Sequence, residues 1–152
     1  MPVPFSLHFA RVWLAGTSPK APGTCGSFVA LLLAPLVFMP LPIPLRVLLL
    51  VALLAAGTWA CGEAEKLLGK KDPSEVVIDE VFGQWLTLLP FASLGLWGYL
   101  AAFALFRLFD ITKPWPVRQL EDIGGGFGIM IDDGAAGLYA MACLGLLLAF
   151  FG

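Results

Sequence analysis

Seventeen of the 20 charged residues lie in two windows, 9 within residues 63–80 and 8 within 107–133, leaving Arg11, Lys20 and Arg46 for the rest of the 152-residue chain. Between and around these windows run apolar stretches at about 27–40, 45–61, 81–106 and 134–151, close to the ~20 residues that a membrane-spanning helix requires. With 59% hydrophobic residues and a mean hydropathy of +0.89, a soluble domain of this length has no interior large enough to hide them. The expected fold class is an all-α integral membrane protein with about four membrane helices, forming a single domain over residues 1–152. Disorder and a disulfide-stapled scaffold do not fit so apolar a chain with 3 cysteines. Its net charge of −2 and scattered basic residues set nucleic acid aside as a partner.

The first apolar helix should be short, because Pro40, Pro42 and Pro44 in PLPIPL cannot continue a helix and read as a tight hairpin turn. A cleavable signal peptide is not expected from the proline-broken start MPVPF. Lysines and arginines favour the cytoplasmic side. With the N-terminus inside, the helical pair ending near Cys61 returns the chain inside with Lys66, Lys70 and Lys71. A single crossing by residues 81–106 would then put Arg107, Lys113 and Arg118 outside. A bent or re-entrant hairpin, interrupted by Pro90, Gly95 and Gly98, repairs this and leaves 8 of the 9 basic residues cytoplasmic, Arg46 being the exception.

In KKDPSEVVIDEVFGQWLTLLP, Asp72 suits an N-cap and Pro73 a first helical turn, so a helix is expected to begin near Pro73. On it Glu80, Gln84 and Thr87 fall at i, i+4 and i+7 beside Asp79 and Gly83, a polar stripe on an otherwise apolar helix. An ionisable stripe near lipid must face a bundle interior or a wet cavity; the plainer reading is a solvated helix end. In LFRLFDITKPWP, Arg107 and Asp110 are spaced to meet as an i, i+3 pair before Lys113 and Pro114 end the helix. In GGGFGIMIDDGAAG, the glycines permit a close backbone approach, and Asp132 and Asp133 are expected at or just before the start of the last apolar helix, where capping would also suit them. The small residues from Gly134 to Ala140 suit close helix packing.

Asp79, Glu80, Asp132 and Asp133, with Asp110 as a fifth acid, are thus expected at helix ends on one side of the membrane. Unpaired they would repel one another, whereas hard oxygen ligands around one cavity suit Mg²⁺. Zinc fits poorly: His8 is the single histidine, and Cys25, Cys61 and Cys143 have no C-x-x-C spacing. The stretch GTSPKAPGTCGS, leading into the first apolar helix, has the composition of an anion cradle in which Lys20, Thr24 and Ser27 add donors, although any Gly/Pro turn before a helix looks similar.

Taken in order, SPKAPGTCGS, KDPSEVVIDEVFGQW, FRLFDITKPWP and GGGFGIMIDDGAAG resemble the signature stretches of the phosphatidylglycerophosphatase A family of bacterial membrane phosphatases. The resemblance covers most of the chain outside the apolar connectors. It implies a Mg²⁺-dependent enzyme that converts phosphatidylglycerophosphate to phosphatidylglycerol, a multi-pass protein of the bacterial inner membrane with its active site facing the cytoplasm. Phospholipid substrate and membrane lipid are then its partners.

The residues narrow the chemistry independently. No cysteine is followed by C-x5-R, since Leu31, Leu67 and Ala149 stand where the arginine is needed, Asp110 begins no D-x-D, and His8 lies outside every motif. Metal-assisted attack by water remains. The expected catalytic set is Asp79, Glu80, Asp132 and Asp133; these four and Asp110 are the metal-ligand candidates; Lys20, Thr24, Ser27, Arg107 and Lys113 would bind the substrate phosphate. Three rivals stand beside this reading. A small membrane ion transporter could use intramembrane carboxylates, but no inverted repeat is visible. A lipid phosphotransferase would resemble a D-G-x-x-A-R pattern, which Asp133-Gly134-Ala135-Ala136 lacks. A membrane scaffold would not need the acids.

Overall fold

The computed structural model describes residues 3–152; Pro2 of the N-terminal MPVPF stretch lies outside them. Among the described residues every regular element is helical: α1 (Phe5–Ala10), α2 (Pro22–Leu33), α3 (Ile43–Leu68), α4 (Ile78–Leu88), α5 (Leu96–Thr112), α6 (Val117–Glu121) and α7 (Gly125–Phe151). A π-helical turn, Ala34–Phe38, extends α2. Its second residue is Pro35, whose missing N–H and bulky ring disrupt the regular i→i−4 ladder. The chain turns at Met39–Pro42, and Pro44 sits harmlessly in the first turn of α3.

The legs α2, α3, α4, α5 and α7 run back and forth between two ends. At one end gather the starts of α2, α4 and α7 and the last turns of α3 and α5. At the other, Arg46 in the first turn of α3 is almost wholly buried. Its guanidinium donates to the carbonyls of Met39 (2.6 Å), Leu41 (2.8 Å), Leu89 (3.0 Å) and Phe91 (2.6 Å) and lies 5.5 Å from the Phe38 ring centroid. This one side chain ties the α2–α3 turn to the α4–α5 turn. Phe38 also stacks on Trp85 at 5.3 Å, and the Trp85 indole donates to the Ala30 carbonyl at 2.8 Å, fastening α4 to α2.

Residues 81–106 are not one helix. Its chain breaks around Pro90 between α4 and α5, and because Glu80 on α4 and Asp110 on α5 meet at the same end, the segment goes out and comes back, as the hairpin expectation required. Both charged windows therefore share one end, with Arg46 at the other. As for the expected four membrane helices, α3 and α7, at 26 and 27 residues, are long and apolar enough to cross a membrane. At ~1.5 Å per residue each is ~40 Å long, more than the ~30 Å hydrocarbon thickness. Only 22% and 28% of their apolar windows are buried within the protein, unlike the core helices of a soluble domain.

Two expected boundaries move. α4 starts at Ile78 rather than near Pro73: Asp72 has a φ of +47°, residues 73–76 form a turn, and the Val77 N–H donates to the Ala10 carbonyl at 2.8 Å. This tertiary hydrogen bond to α1 holds Val77 outside the helix. α7 starts at Gly125, so Asp132 and Asp133 lie two turns inside it and are not its caps. The glycine run is helical because α3 lies against it. A Cβ at Gly126 would stand 1.9 Å from the Thr58 carbonyl oxygen and 2.7 Å from the Gly62 nitrogen, both backbone atoms that cannot step aside. Likewise a Cβ at Gly137 would stand 2.5 Å from the Gly83 carbonyl oxygen where α7 crosses α4. Gly126→Ala is expected to cost about 1–3 kcal/mol through overpacking, read as a lower thermal midpoint in detergent, with Gly145→Ala, which meets nothing within 4 Å, as the neutral control.

Candidate active site

Five carboxylates from three helices converge at the charged end. Asp79 and Glu80 come from the first turn of α4, Asp110 from the last turn of α5, and Asp132 and Asp133 from α7. Single oxygens of Asp79, Asp132 and Asp133 all lie within 4.8 Å of one another, as do those of Glu80, Asp110 and Asp133. Asp133 belongs to both groups and is the hub. Adjacent helical residues diverge by about 100°, yet both Asp132 and Asp133 reach the cluster because α4 crosses α7 where Gly83, Gly134 and Gly137 let the backbones close in. Asp79, Glu80, Asp132 and Asp133 are all buried.

Two cations offset part of this charge. Arg107 pairs with Asp110 as the i, i+3 spacing suggested. Lys113, at the C-cap of α5 with a φ of +47°, swings back so that its Nζ donates to Asp132 Oδ2 at 2.7 Å and lies 3.6 Å from Glu121. Burial pulls the lysine pKa down, but the hydrogen bond and charge of Asp132, with Asp133 and Glu121, outweigh it and leave the pKa raised. Lys113 therefore stays an ammonium ion at neutral pH. Asp132 is held from the other side by the Asp133 N–H, which donates to its Oδ1 at 2.9 Å. Asp79 Oδ1, Glu80 Oε2 and Asp133 Oδ2 remain buried with no hydrogen-bond partner.

An open cavity of about 370 Å³ covers the cluster, walled by the five acids, Arg107, Lys113, Asp72 and by Ala21, Pro22 and Gly23. The glycine-proline stretch before α2 meets the site here, but through Ala21, Pro22 and Gly23. Ala21 has a φ of +47°, Pro22 starts the helix, and a Cβ at Gly23 would stand 2.7 Å from Glu80 Oε1 and 3.4 Å from Arg107 Nη1. The α2 N-terminus thus opens onto the cavity. Of the expected phosphate-binding side chains, Arg107 and Lys113 line it and Lys20, Thr24 and Ser27 do not. Lys20 is exposed, and the fully buried Ser27 hydroxyl donates to the Gly23 carbonyl at 3.0 Å.

Asp72, which the sequence suggested only as a cap, lines this cavity and an adjoining one of about 390 Å³ that also contains Glu65, Glu121, Asp122 and Asp132. Its N–H is held by Glu65 Oε1 at 2.8 Å. An acid in a short loop leading directly to Asp79 and Glu80 was the available signal. The three cysteines are free thiols, and His8 packs against Trp13 with ring centroids 5.7 Å apart.

The donor set fits a hard divalent cation: every candidate ligand is a carboxylate, three buried oxygens lack partners, and unbalanced acids outnumber the two cations beside them. The adjoining helix N-terminus, guanidinium and ammonium suit an anion with several oxygens.

The family model for phosphatidylglycerophosphatase A matches residues 8–148. A protein of Bacteroides thetaiotaomicron, provisionally named a phosphatidylinositol-3-phosphatase, is 42% identical over 132 residues, covering 83% of this chain and 82% of the relative. The phosphatidylglycerophosphatase A of Escherichia coli is 37% identical over 86% of this chain and 76% of its own, and that of Haemophilus influenzae 36% identical over 84% and 78%. No solved structure matches the chain.

Proposed function

This chain belongs to the phosphatidylglycerophosphatase A family, and from that premise we propose that it hydrolyses the terminal phosphate monoester of phosphatidylglycerophosphate, releasing phosphatidylglycerol and inorganic phosphate. The observation that carries the reading is the buried group of Asp79, Glu80, Asp110, Asp132 and Asp133 facing Arg107 and Lys113 across one cavity. Asp79, Asp132 and Asp133, with Glu80 and Asp110 completing the set, would hold Mg²⁺. Bound there, Mg²⁺ supplies Lewis-acid polarisation of the phosphoryl group and a lowered pKa for water. Arg107 and Lys113 neutralise the non-bridging phosphate oxygens, and the unpaired N–H groups at the start of α2 donate to them. A carboxylate of the cluster accepts a proton from water as the water oxygen bonds to phosphorus; the ester P–O bond breaks, and the departing glycerol oxygen takes up the proton that the carboxylate received.

The setting suits a lipid substrate. The long helices α3 and α7 present apolar, largely unburied surfaces along which acyl chains can lie. Exposed Trp13 and Trp115 flank the charged end and exposed Trp97 the other, as interfacial aromatics do. The family and these helices associate the chain with a membrane; the multi-pass inner-membrane topology with the site facing the cytoplasm is our reading, supported by the basic residues outside Arg46 sharing the site's end.

The test is phosphate release by purified protein in detergent from phosphatidylglycerophosphate, phosphatidic acid and phosphatidylinositol 3-phosphate, each with Mg²⁺ and with EDTA. Release from the first substrate that needs Mg²⁺ is expected. Preference for the inositol lipid would transfer the selectivity to the Bacteroides relative's named chemistry, and no release from any substrate by folded protein would sink the phosphatase reading in favour of the transporter.

A further inference from the structure

Beneath the carboxylate cluster lies a polar layer that the proposed chemistry has not used. Gln84 is fully buried, and both its Oε1 and Nε2 lack a hydrogen-bond partner. It sits four residues after Glu80 on α4, hence one turn deeper, by ~5.4 Å, on the same face. Glu80 has a buried oxygen in the same condition, Oε2. Its other oxygen faces the cavity side, near Gly23 and Arg107.

The neighbouring helix repeats the pattern. Gly23 of α2 stands against Glu80, and Ser27, fully buried, lies one turn further along the same face. The Ser27 proton is committed to the Gly23 carbonyl, so its hydroxyl offers only acceptor capacity to this layer. Thr87, the next polar residue of the stripe, is satisfied differently: its hydroxyl reaches the carbonyls of Gly83 at 3.0 Å and Gly137 at 3.3 Å. Gln84 is thus the stripe member with free donors, and Glu80 Oε2 is the unpaired acceptor one turn above. A carboxamide left wholly unpaired inside a protein is costly. Its retention one turn from a carboxylate with an orphaned oxygen calls for a use.

We propose that Gln84 is a positioning residue for Glu80, its carboxamide N–H holding the inner carboxylate oxygen through one buried water, so that the outer oxygen is presented to the cation. The inference rests on the reading of the cluster as a Mg²⁺ site. Partners of this kind orient ligating carboxylates, and their loss typically weakens metal affinity or activity about 10–100-fold.

The experiment follows Mg²⁺ binding without substrate, as the rise in thermal midpoint on titrating MgCl₂, alongside kcat and KM. Gln84→Met keeps the shape without the donors, and Gln84→Leu serves if the first variant does not fold. An increase of about tenfold in the Mg²⁺ dissociation constant is expected, with a comparable fall in kcat and an unchanged lipid KM. Thr87→Val, on the same buried face, is expected to lower the midpoint without moving Mg²⁺ affinity. In a Glu80→Gln background the Gln84 effect should vanish, because the two residues act as one unit. Equal loss in both backgrounds, or unchanged Mg²⁺ binding by Gln84→Met, overturns the proposal alone. A wild type with no Mg²⁺ response fails the reading of the site and takes the proposal with it.

Discussion

Asp133→Asn is expected to lower kcat/KM by about 10³-fold or more while leaving a protein that, in EDTA, unfolds at a higher temperature than the wild type. Asp133 alone belongs to both carboxylate groups, so its loss removes a ligand from every arrangement that spans them. Lewis-acid stabilisation by a bound cation contributes several kcal/mol, and each ~1.4 kcal/mol is tenfold in rate. The stability change runs the other way for the same reason. Without a cation, Asp79, Glu80, Asp110 and Asp132 face Asp133 across short distances inside the protein, and like charges in a poorly solvated site repel strongly. Asn is nearly isosteric and removes one of them. Activity assays and thermal unfolding with and without Mg²⁺ read both halves; a stable apo protein that retains wild-type turnover would remove Asp133 from the site.

Arg46→Met is expected to cost about 3–5 kcal/mol, the usual penalty for leaving buried polar partners without their charge-bearing donor. The carbonyls of Met39, Leu41, Leu89 and Phe91 would all lose their donor at once, and the two turns at the far end would lose their tie. Because Arg46 lies at the end opposite the carboxylates, the Mg²⁺-dependent rise in midpoint should keep its size although the baseline falls by many degrees. Arg46→Lys should restore little, since one ammonium cannot reach four carbonyls that a planar guanidinium spans. An unchanged thermal midpoint in Arg46→Met would show that the turns hold without it.

Much of this arrangement was legible because charge and hydropathy are one-dimensional signals. Confining the charges to residues 63–80 and 107–133 makes those windows the only places for polar chemistry, and the positive-inside rule required residues 81–106 to fold back. The i, i+3 spacing of Arg107 and Asp110 specified their pairing. The legible part stopped where a distant contact overrode a local preference. Asp72-Pro73 reads as a helix start, but the hydrogen bond from Val77 to Ala10 delays α4 to Ile78. A glycine run reads as a loop, but packing of Gly126 on Thr58 makes it the first turns of α7. The stretch before α2 suggested side-chain donors from Lys20, Thr24 and Ser27, whereas the fold brings Ala21, Pro22 and Gly23 to the cavity.

By itself, then, the sequence determined the apolar, membrane-associated character of the chain and named the acids that the fold gathers at one end, because these follow from where polar groups can be tolerated in an apolar chain. Only the tertiary structure decided which acids bring their oxygens within 4.8 Å of one another, that Asp133 links the two groups, and that Gln84 lies unpaired beneath Glu80. Those facts depend on how closely α4 and α7 cross, and that distance is set by backbone contacts at Gly83 and Gly137 between residues more than 50 positions apart in the chain.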